Sequence, residues 1–420
     1  MAFKGSRVKR RDVLAGLGAG AFAAMTGRAF AEDPVIENMR RAAALARTDR
    51  EGNTVAALEA IDTYEPILSL DTAYNLELAI LQHEQIVKNG GWGEMARNAV
   101  GLVAGASSNV VIKLKRRLMA SSDMEETERV GDLFDAEMDA GIRRFQARHG
   151  LHITGKIDPE TYMMLNVPAE TRLAQLRLNA LRVQRFAQSL TERYILVNIP
   201  AAAIETVEVG QVFHRHTAVV GRIDRQTPIL SSQVYEINFN PYWTVPKSII
   251  RKDLIKYMNE DPEYLTKYNI RIFDYNGNEL IPTDIDWSTD DAVNYLFRQE
   301  PGAENSLGHV RINFHNAHSV YLHDTPSKTL FGENQRFHSS GCVRVDEVDA
   351  FVAWILRDSG WDLAAVQATF ASGERLDVPV KSPVALQTTY ITAWANRQGV
   401  VSFRDDVYDY DAAGKVEFDA

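Results

Sequence analysis

The sequence predicts an α+β protein, with a mostly antiparallel β domain carried beside helical units. Three observations predict it. Ahead of residue 191, apolar residues recur at helical spacing, as in the stripe Leu173, Leu176, Ala180, Val183, Ala187 and Leu190. From Tyr194 the period changes to two, so that "YILVNIP" sets Ile195, Val197 and Ile199 on one face. Between these, residues 107–168 carry an apolar pattern and stop signals of their own, as a small separate module does. At roughly 150 residues per domain, a chain of 420 suits two or three domains. With 45% apolar and 24% charged residues it is not composed as a disordered, collagen-like or coiled-coil chain.

Residues 1–31 read as an export signal. A basic start precedes an apolar run too short to span a bilayer, then the cleavage pattern Ala29-Phe30-Ala31. The pair Arg10-Arg11 resembles a twin-arginine signal, which places the mature protein in the periplasm. Removal of this segment takes away six basic residues and one acid, and moves the net charge from −10 to −15. So acidic a chain is a poor binder of nucleic acid.

Residues 32–105 read as a helical scaffold, with "EDPVIENMRRAAALARTDR" and "LDTAYNLELAILQHEQIVKNG" as its two runs. Gly90-Gly91 and "GLVAGASSN" suggest a boundary near 105. In the module that follows, 106–170, Val110, Val111, Leu114 and Leu118 share one helix face, and Met138, Ile142 and Phe145 another. Gly150 closes the second helix, and Asp158 caps a third that begins at Pro159. A helix over 171–191 completes the scaffold. The β domain spans 192–385. Within it, "RINF" and "SVYLH" read as a hairpin turning at Asn316-Ala317. Asp346 is placed to cap a helix that buries Val348, Phe351, Val352, Ile355 and Leu356. Residues about 247–300 break the strand pattern with helical runs, "KSIIRKDLIKYMNEDPEYLTKYN" and then "DWSTDDAVNYLFRQEPGAENSLG", and read as an insertion covering a cleft. Residues 386–420 form a hairpin turning at Gln398-Gly399 and a tail packed on the β domain.

The chemistry gathers at the chain's one cysteine, Cys342, in "HDTPSKTLFGENQRFHSSGCVRV". Exported proteins use cysteines in disulfide pairs, and a single one cannot pair within the chain. It is either an inert small hydrophobe or a group kept for its reactivity. A thiol nucleophile needs a base in reach and donors for a developing oxyanion. His323 stands at a strand end, on the same face as Tyr321 and away from Leu322. Ser339, Ser340 and Gly341 form a tight polar approach to Cys342, and the glycine admits close contact with a substrate carbonyl. Arg344 shares a side with Cys342 if the segment is extended, able to grip a carboxylate or to lock the loop.

Two resemblances sharpen this reading. "GIRRFQARHGLHITGKIDPETYMML" resembles the peptidoglycan-binding domain of many cell-wall enzymes. "HDTP…SSGCVRV", with "NFNPYWTVPKSI", "PGAENSLG" and "VYLHDTPSKTLF", resembles the YkuD-type L,D-transpeptidases, in their long periplasmic branch with a capping insertion. The resemblance implies Cys342 as nucleophile, His323 as base, the Asp324 carbonyl as orienter of the imidazole, and Gly341 with Cys342 as oxyanion amides. It also implies Tyr321 and Arg344 in the pocket, with Ser339 and Ser340 beside them and Asn240, Tyr242 and Trp243 lining the cleft. Ser340 departs from the family signature, which has a histidine there, and His315 stands where proline is usual. The implied reaction is peptidoglycan cross-linking by two acyl transfers, with release of D-alanine from a tetrapeptide stem, and acylation by carbapenems. No cofactor is implied, and the expected partners are stem peptides, glycan and other wall synthases.

Rival readings are a carboxypeptidase or endopeptidase, an enzyme anchoring proteins to the wall, and a non-catalytic wall-binding scaffold. His214 and His216 share a strand face as metal ligands would, but no third and fourth ligand follow at suitable spacing. His309, His315, His318 and His338 read as loop residues, and Trp354, Trp361 and Trp394 as core aromatics.

Overall fold

The computed structural model describes residues 50–61 and 63–418. The expected export segment and the first scaffold run up to residue 49 lie outside the described residues. Helices α1 (Arg50–Ile61), α2 (Leu70–Lys88), α3 (Asn109–Ala120), α4 (Ala136–Arg148), α5 (Pro159–Leu165) and α6 (Ala169–Ala187) precede the first strand. Three of them start on a side-chain cap. Ser69 accepts from the Thr72 amide, Asp135 from Met138 and Asp158 from Thr161, each satisfying an amide of the first turn.

Helices α3, α4 and α5 close on Val111, Leu114, Leu118, Met138, Ile142, Phe145 and Leu165. Met95, Ala99 and Ala104 enter the same core, and the Gly101 and Gly105 amides bond the Ile157 and Phe134 carbonyls. The packed module therefore starts about ten residues before the expected boundary, because the loop ahead of α3 is apolar enough to be buried. Helix α6 runs over Ala169–Ala187, not 171–191, since Pro168 fixes its start. It packs on α2 through Leu76, Ala79, Leu176 and Val183. The same cluster takes Tyr194, Leu196, Val207 and Val212, so the helical pair covers one face of the β domain.

That domain is a nine-stranded sheet of β1 (Arg193–Asn198), β2 (Ala203–Glu208), β3 (Gln211–Gly221), β4 (Ser231–Phe239), β5 (Val310–Phe314), β6 (Leu322–His323), β7 (Phe337–Ser339), β8 (Val343–Val345) and β9 (Leu376–Thr389). The order is β7-β3-β8-β6-β5-β4-β9-β1-β2, and β2 also pairs with β3, closing the sheet on itself. Pairs β1–β9, β6–β8 and β7–β3 are parallel and the rest antiparallel. Helix α7 (Val348–Leu356) fills one side with Phe351, Val352 and Ile355. Its N-cap is Glu347, in a left-handed conformation with no side-chain cap bond, and not Asp346 as expected. The Asp346 backbone is drawn into β3 instead, with its amide on the Thr217 carbonyl and its own carbonyl against the His216 ring.

The hairpin expected at Asn316-Ala317 is looser than a tight turn. β5 and β6 pair antiparallel, but 315–321 form a loop that Asn316 ties to the Phe314 and Val320 carbonyls. The insertion is a unit with its own core of Ile250, Leu254, Met258, Leu265, Ile272 and Phe297. Its helix over 247–260 contains a π turn, Ile250–Leu254. The helix expected in "DWSTDDAVNYLFRQEPG" is a short turn followed by a strand, Leu296–Gln299, whose Phe297 and Gln299 alternate inward. The expected division at 385 falls inside β9. Beyond β9, strands Ala393–Ala395 and Val401–Phe403 form the terminal hairpin, turning through Gly399 at φ +77°. This hairpin packs on α2 and α6, so it belongs to the helical side as much as to the sheet.

Candidate active site

Strand β6 is two residues long and carries His323. Leu322 points into the core, fully buried, which turns His323 to the opposite face. On one side β6 pairs with β5, and on the other with β8 in parallel register, so His323 lies between Arg311 and Arg344. The Val343 amide bonds the Tyr321 carbonyl at 3.1 Å and starts β8 one residue past Cys342. Parallel pairing thus delivers thiol and imidazole to the same end of neighbouring strands.

The cysteine loop is held from within and from behind. The Ser339 hydroxyl donates to the Cys342 carbonyl at 2.5 Å and accepts from the Gly341 amide at 3.2 Å. Gly341 has φ +113°, a conformation that side-chain-bearing residues rarely take. Thr227 donates its hydroxyl to the Gly341 carbonyl at 2.9 Å and accepts from the Gly221 amide. One consequence corrects an expectation: the Gly341 amide is engaged by Ser339, so it is not free as an oxyanion donor in this arrangement. Ser339, 4% exposed, acts as a clamp of the loop.

The imidazole is fixed as firmly. His323 Nδ1 lies 2.5 Å from the Asp324 carbonyl, which only accepts, so Nδ1 carries the proton and Nε2 is left as the basic atom. The Asp324 carboxylate accepts from the His309 amide at 2.9 Å and from Lys328 at 2.6 Å. Gly308 makes room for it, since a Cβ there would come within 2.2 Å of that carboxylate. Burial first, then Arg344, pushes the His323 imidazole down to about 3. Burial also raises the Cys342 thiol, against the opposing pull of Tyr321, Arg311 and Arg344. The resting pair is therefore a neutral thiol and a neutral imidazole.

Both groups open on a cleft of about 630 Å³. Tyr321, Arg344, Ser339, Ser340 and Trp243 line it with them, and Trp243 Nε1 donates to the Tyr321 hydroxyl at 3.2 Å. The insertion supplies a second wall, including Asp253, Tyr257, Tyr264 and Tyr268. Two predicted residues do not line it. Asn240, at φ +43° and 4% exposed, spends its side chain on the Thr369 and Glu374 carbonyls. Tyr242 turns outward beneath Arg298 and Arg375. Residue 243 alone of the three faces the cleft because it enters the insertion's sheet, pairing with Gln299. Ser340 is exposed and accepts from Arg225 at 2.8 Å. Arg225 in turn binds Asp253, and so joins the cysteine loop to the insertion.

Sequence reasoning missed Arg311, Thr227, Gly308, Arg225 and Asp253. Arg311 was within reach, as the cation of "HVRINF" that alternates away from Val310 and Ile312 onto the face of His323. The others are set by contacts across long stretches of chain. Of the remaining histidines, His216 is buried against Phe351, with its ring on the Asp346 carbonyl, and His315 stacks on Tyr235. Trp354 is buried and Trp361 stacks on Phe239, as core residues do.

Residues 192–384 match the profile of the YkuD "L,D-transpeptidase catalytic domain", and residues 107–165 that of the "Putative peptidoglycan binding domain". A curated relative from Haemophilus influenzae, "Putative L,D-transpeptidase", is 33% identical over 251 residues, covering 59% of this chain. The chain spans 50% of that relative's length. Among solved structures, an L,D-transpeptidase from Mycobacterium smegmatis is 14% identical with a TM-score of 0.23, over 47% of this chain and 58% of its own. One from Stackebrandtia nassauensis is 13% identical with a TM-score of 0.24, over 71% of this chain and 97% of its own. Scores this low add nothing to the sequence matches. Those matches identify residues 192–384 as a YkuD L,D-transpeptidase catalytic domain, with a peptidoglycan-binding domain ahead of it at residues 107–165.

Proposed function

We propose that the protein is a peptidoglycan L,D-transpeptidase that forms 3-3 cross-links through a thioester on Cys342. The observation that carries this reading is the base: His323 has Nδ1 pinned to the Asp324 carbonyl and sits on a strand in register beside the one that Cys342 opens. Because the resting thiol is neutral, its proton leaves as the sulfur attacks, and Nε2 is the atom that takes it. Sulfur bonds the carbonyl carbon after the third residue of a tetrapeptide stem. The bond to the terminal D-alanine breaks, and its amine departs with the proton from Nε2. An amine of a second stem then attacks the thioester, gives its proton to Nε2, and the thiol is restored.

Arg344 suits an anionic donor. It lines the cleft half-buried, which sets its guanidinium where a substrate carboxylate would come, and its enclosed Nε has no partner among the described residues. The reaction belongs outside the cytoplasm, in keeping with the twin-arginine-like start of the chain. Mass spectrometry of products from a disaccharide-tetrapeptide tests the proposal. A dimer lacking one D-alanine is the expected result. Tripeptide alone points to hydrolysis, and unchanged substrate to a binding scaffold. Cys342→Ala that still cross-links overturns the mechanism. A carbapenem should add its mass to the wild type and not to Cys342→Ala.

A further inference from the structure

A second cavity, of about 120 Å³, lies where α1, α2, the α3–α4 module and the terminal hairpin meet. Arg117, Arg144, Arg148 and Arg172 line it, with His83 and His149. One carboxylate lines the cavity with those four guanidinium groups, Asp123, and it is already committed: its oxygens take Arg148 Nε at 2.7 Å and Nη2 at 2.6 Å, while Asp405 and Asp411 act on Arg172 from beyond the lining. Arg144 makes do with the Asp123 backbone carbonyl, and Arg172 Nη1 with the Gln175 amide oxygen. Arg117 bonds the Leu165 carbonyl through Nε, while its Nη1 is buried and has no partner among the described residues. Arg117 is 3% exposed, so water outside the cavity does not reach it.

The histidines do not change this balance. Each has its Nδ1 on a backbone carbonyl, Ala79 for His83 and Phe145 for His149, and burial holds both rings neutral. Aromatic faces offset part of the charge, with Arg117 3.9 Å over Trp92 and Arg172 4.6 Å over Phe403. The remainder is unpaid: burial, then Arg148, pulls Arg117 down to about 9. A buried cation short of a counter-charge is a costly feature of any fold.

We infer that this junction cavity is an oxyanion site, which takes one carboxylate or phosphate group against Arg117 and fastens the module to the helical pair and the hairpin. The size agrees. A water needs roughly 10–15 Å³ by the same measure, so the space has room for about eight to twelve waters, enough for a carboxylate or phosphate group with some of its hydration and too little for a sugar chain. Nothing in this inference depends on the reaction at Cys342.

Thermal unfolding of the full chain tests it, at fixed ionic strength, with part of the chloride replaced by acetate, inorganic phosphate or N-acetyl-D-alanine. A bound oxyanion gives a saturable rise in Tm of about 2 °C or more that chloride does not give. A response to acetate and N-acetyl-D-alanine assigns the site to a peptide carboxylate, and a response to phosphate alone to a phosphate group. Arg117→Met should reduce the response to that of chloride. Gln398→Glu, which sets a carboxylate at the cavity wall, should raise the anion-free Tm and blunt the response. Identical behaviour of oxyanions and chloride, or an undiminished response in Arg117→Met, overturns the inference. If Arg117→Met does not fold, Gln398→Glu decides, and an unchanged Tm with an unchanged response overturns it.

Discussion

Cys342 and His323 are both neutral at rest, and that sets what each does as pH changes. Alkylation of Cys342 by iodoacetamide should have its midpoint above the ordinary thiol value of about 8.5, because burial disfavours the thiolate. Arg344 pulls the other way, so Arg344→Leu should move the midpoint higher still. The base stays unprotonated far into acid, and kcat/KM should show no inflection at the usual histidine position near 6.5. His323→Ala should cost about 100-fold or more in kcat. Thr227 is a positioning residue: Thr227→Val loses both loop bonds, and should lower kcat about tenfold with little change in KM. Thr227→Ser should restore it. The meeting of Cys342 and His323 in one cleft, and the Asp324 carbonyl on the imidazole, were legible because a lone cysteine beside a local signature is a short-range signal. Thr227 was not, since its bond to Gly341 spans 114 positions and exists only once the sheet has closed.

The insertion is joined to the site through the Arg225–Asp253 ion pair, with side chains 11% and 20% exposed, and through Arg225 on Ser340. Asp253 sits on a π turn, where the helix offers its side chain out of the usual register. Asp253→Ala should speed hydrogen exchange over 247–260, speed alkylation of Cys342, and raise KM for the stem peptide. Equal exchange in both proteins would mean that the pair does not hold the insertion. The helical part of this unit was readable from its pattern. Its central strand, Leu296–Gln299, was not: four residues give too little alternation, and its partners at 243–244 and 270–273 lie far off in sequence. Strand β6 shows the same limit, with two residues that are fixed by neighbours on both sides.

Four buried histidines span the molecule: His83 and His149 at the helical junction, His216 under α7 and His323 in the cleft. His83 and His216 are held down to about 4, His323 to about 3 and His149 well below its ordinary value, each mainly by burial. The unfolded chain, with histidines near 6.5, binds more protons than the fold below that pH, so stability is full above it and is lost as pH falls towards 4. At pH 5.5 the loss is about 1 kcal/mol per histidine. Urea midpoints should therefore fall between pH 7 and 5.5, before carboxylates titrate, and a flat profile would contradict the neutral assignment. At this scale the order of units was legible from changes of period, whereas their edges were set by which loops are apolar enough to bury. One edge has a practical consequence. The catalytic match stops at residue 384, yet β1 pairs with Ala385 through Thr389, and the Tyr408 hydroxyl holds the Gly221 carbonyl. Anyone trimming the gene to the matched block would cut away the staves that close the barrel, and should recover an aggregating fragment, whereas one extended through residue 418 keeps them.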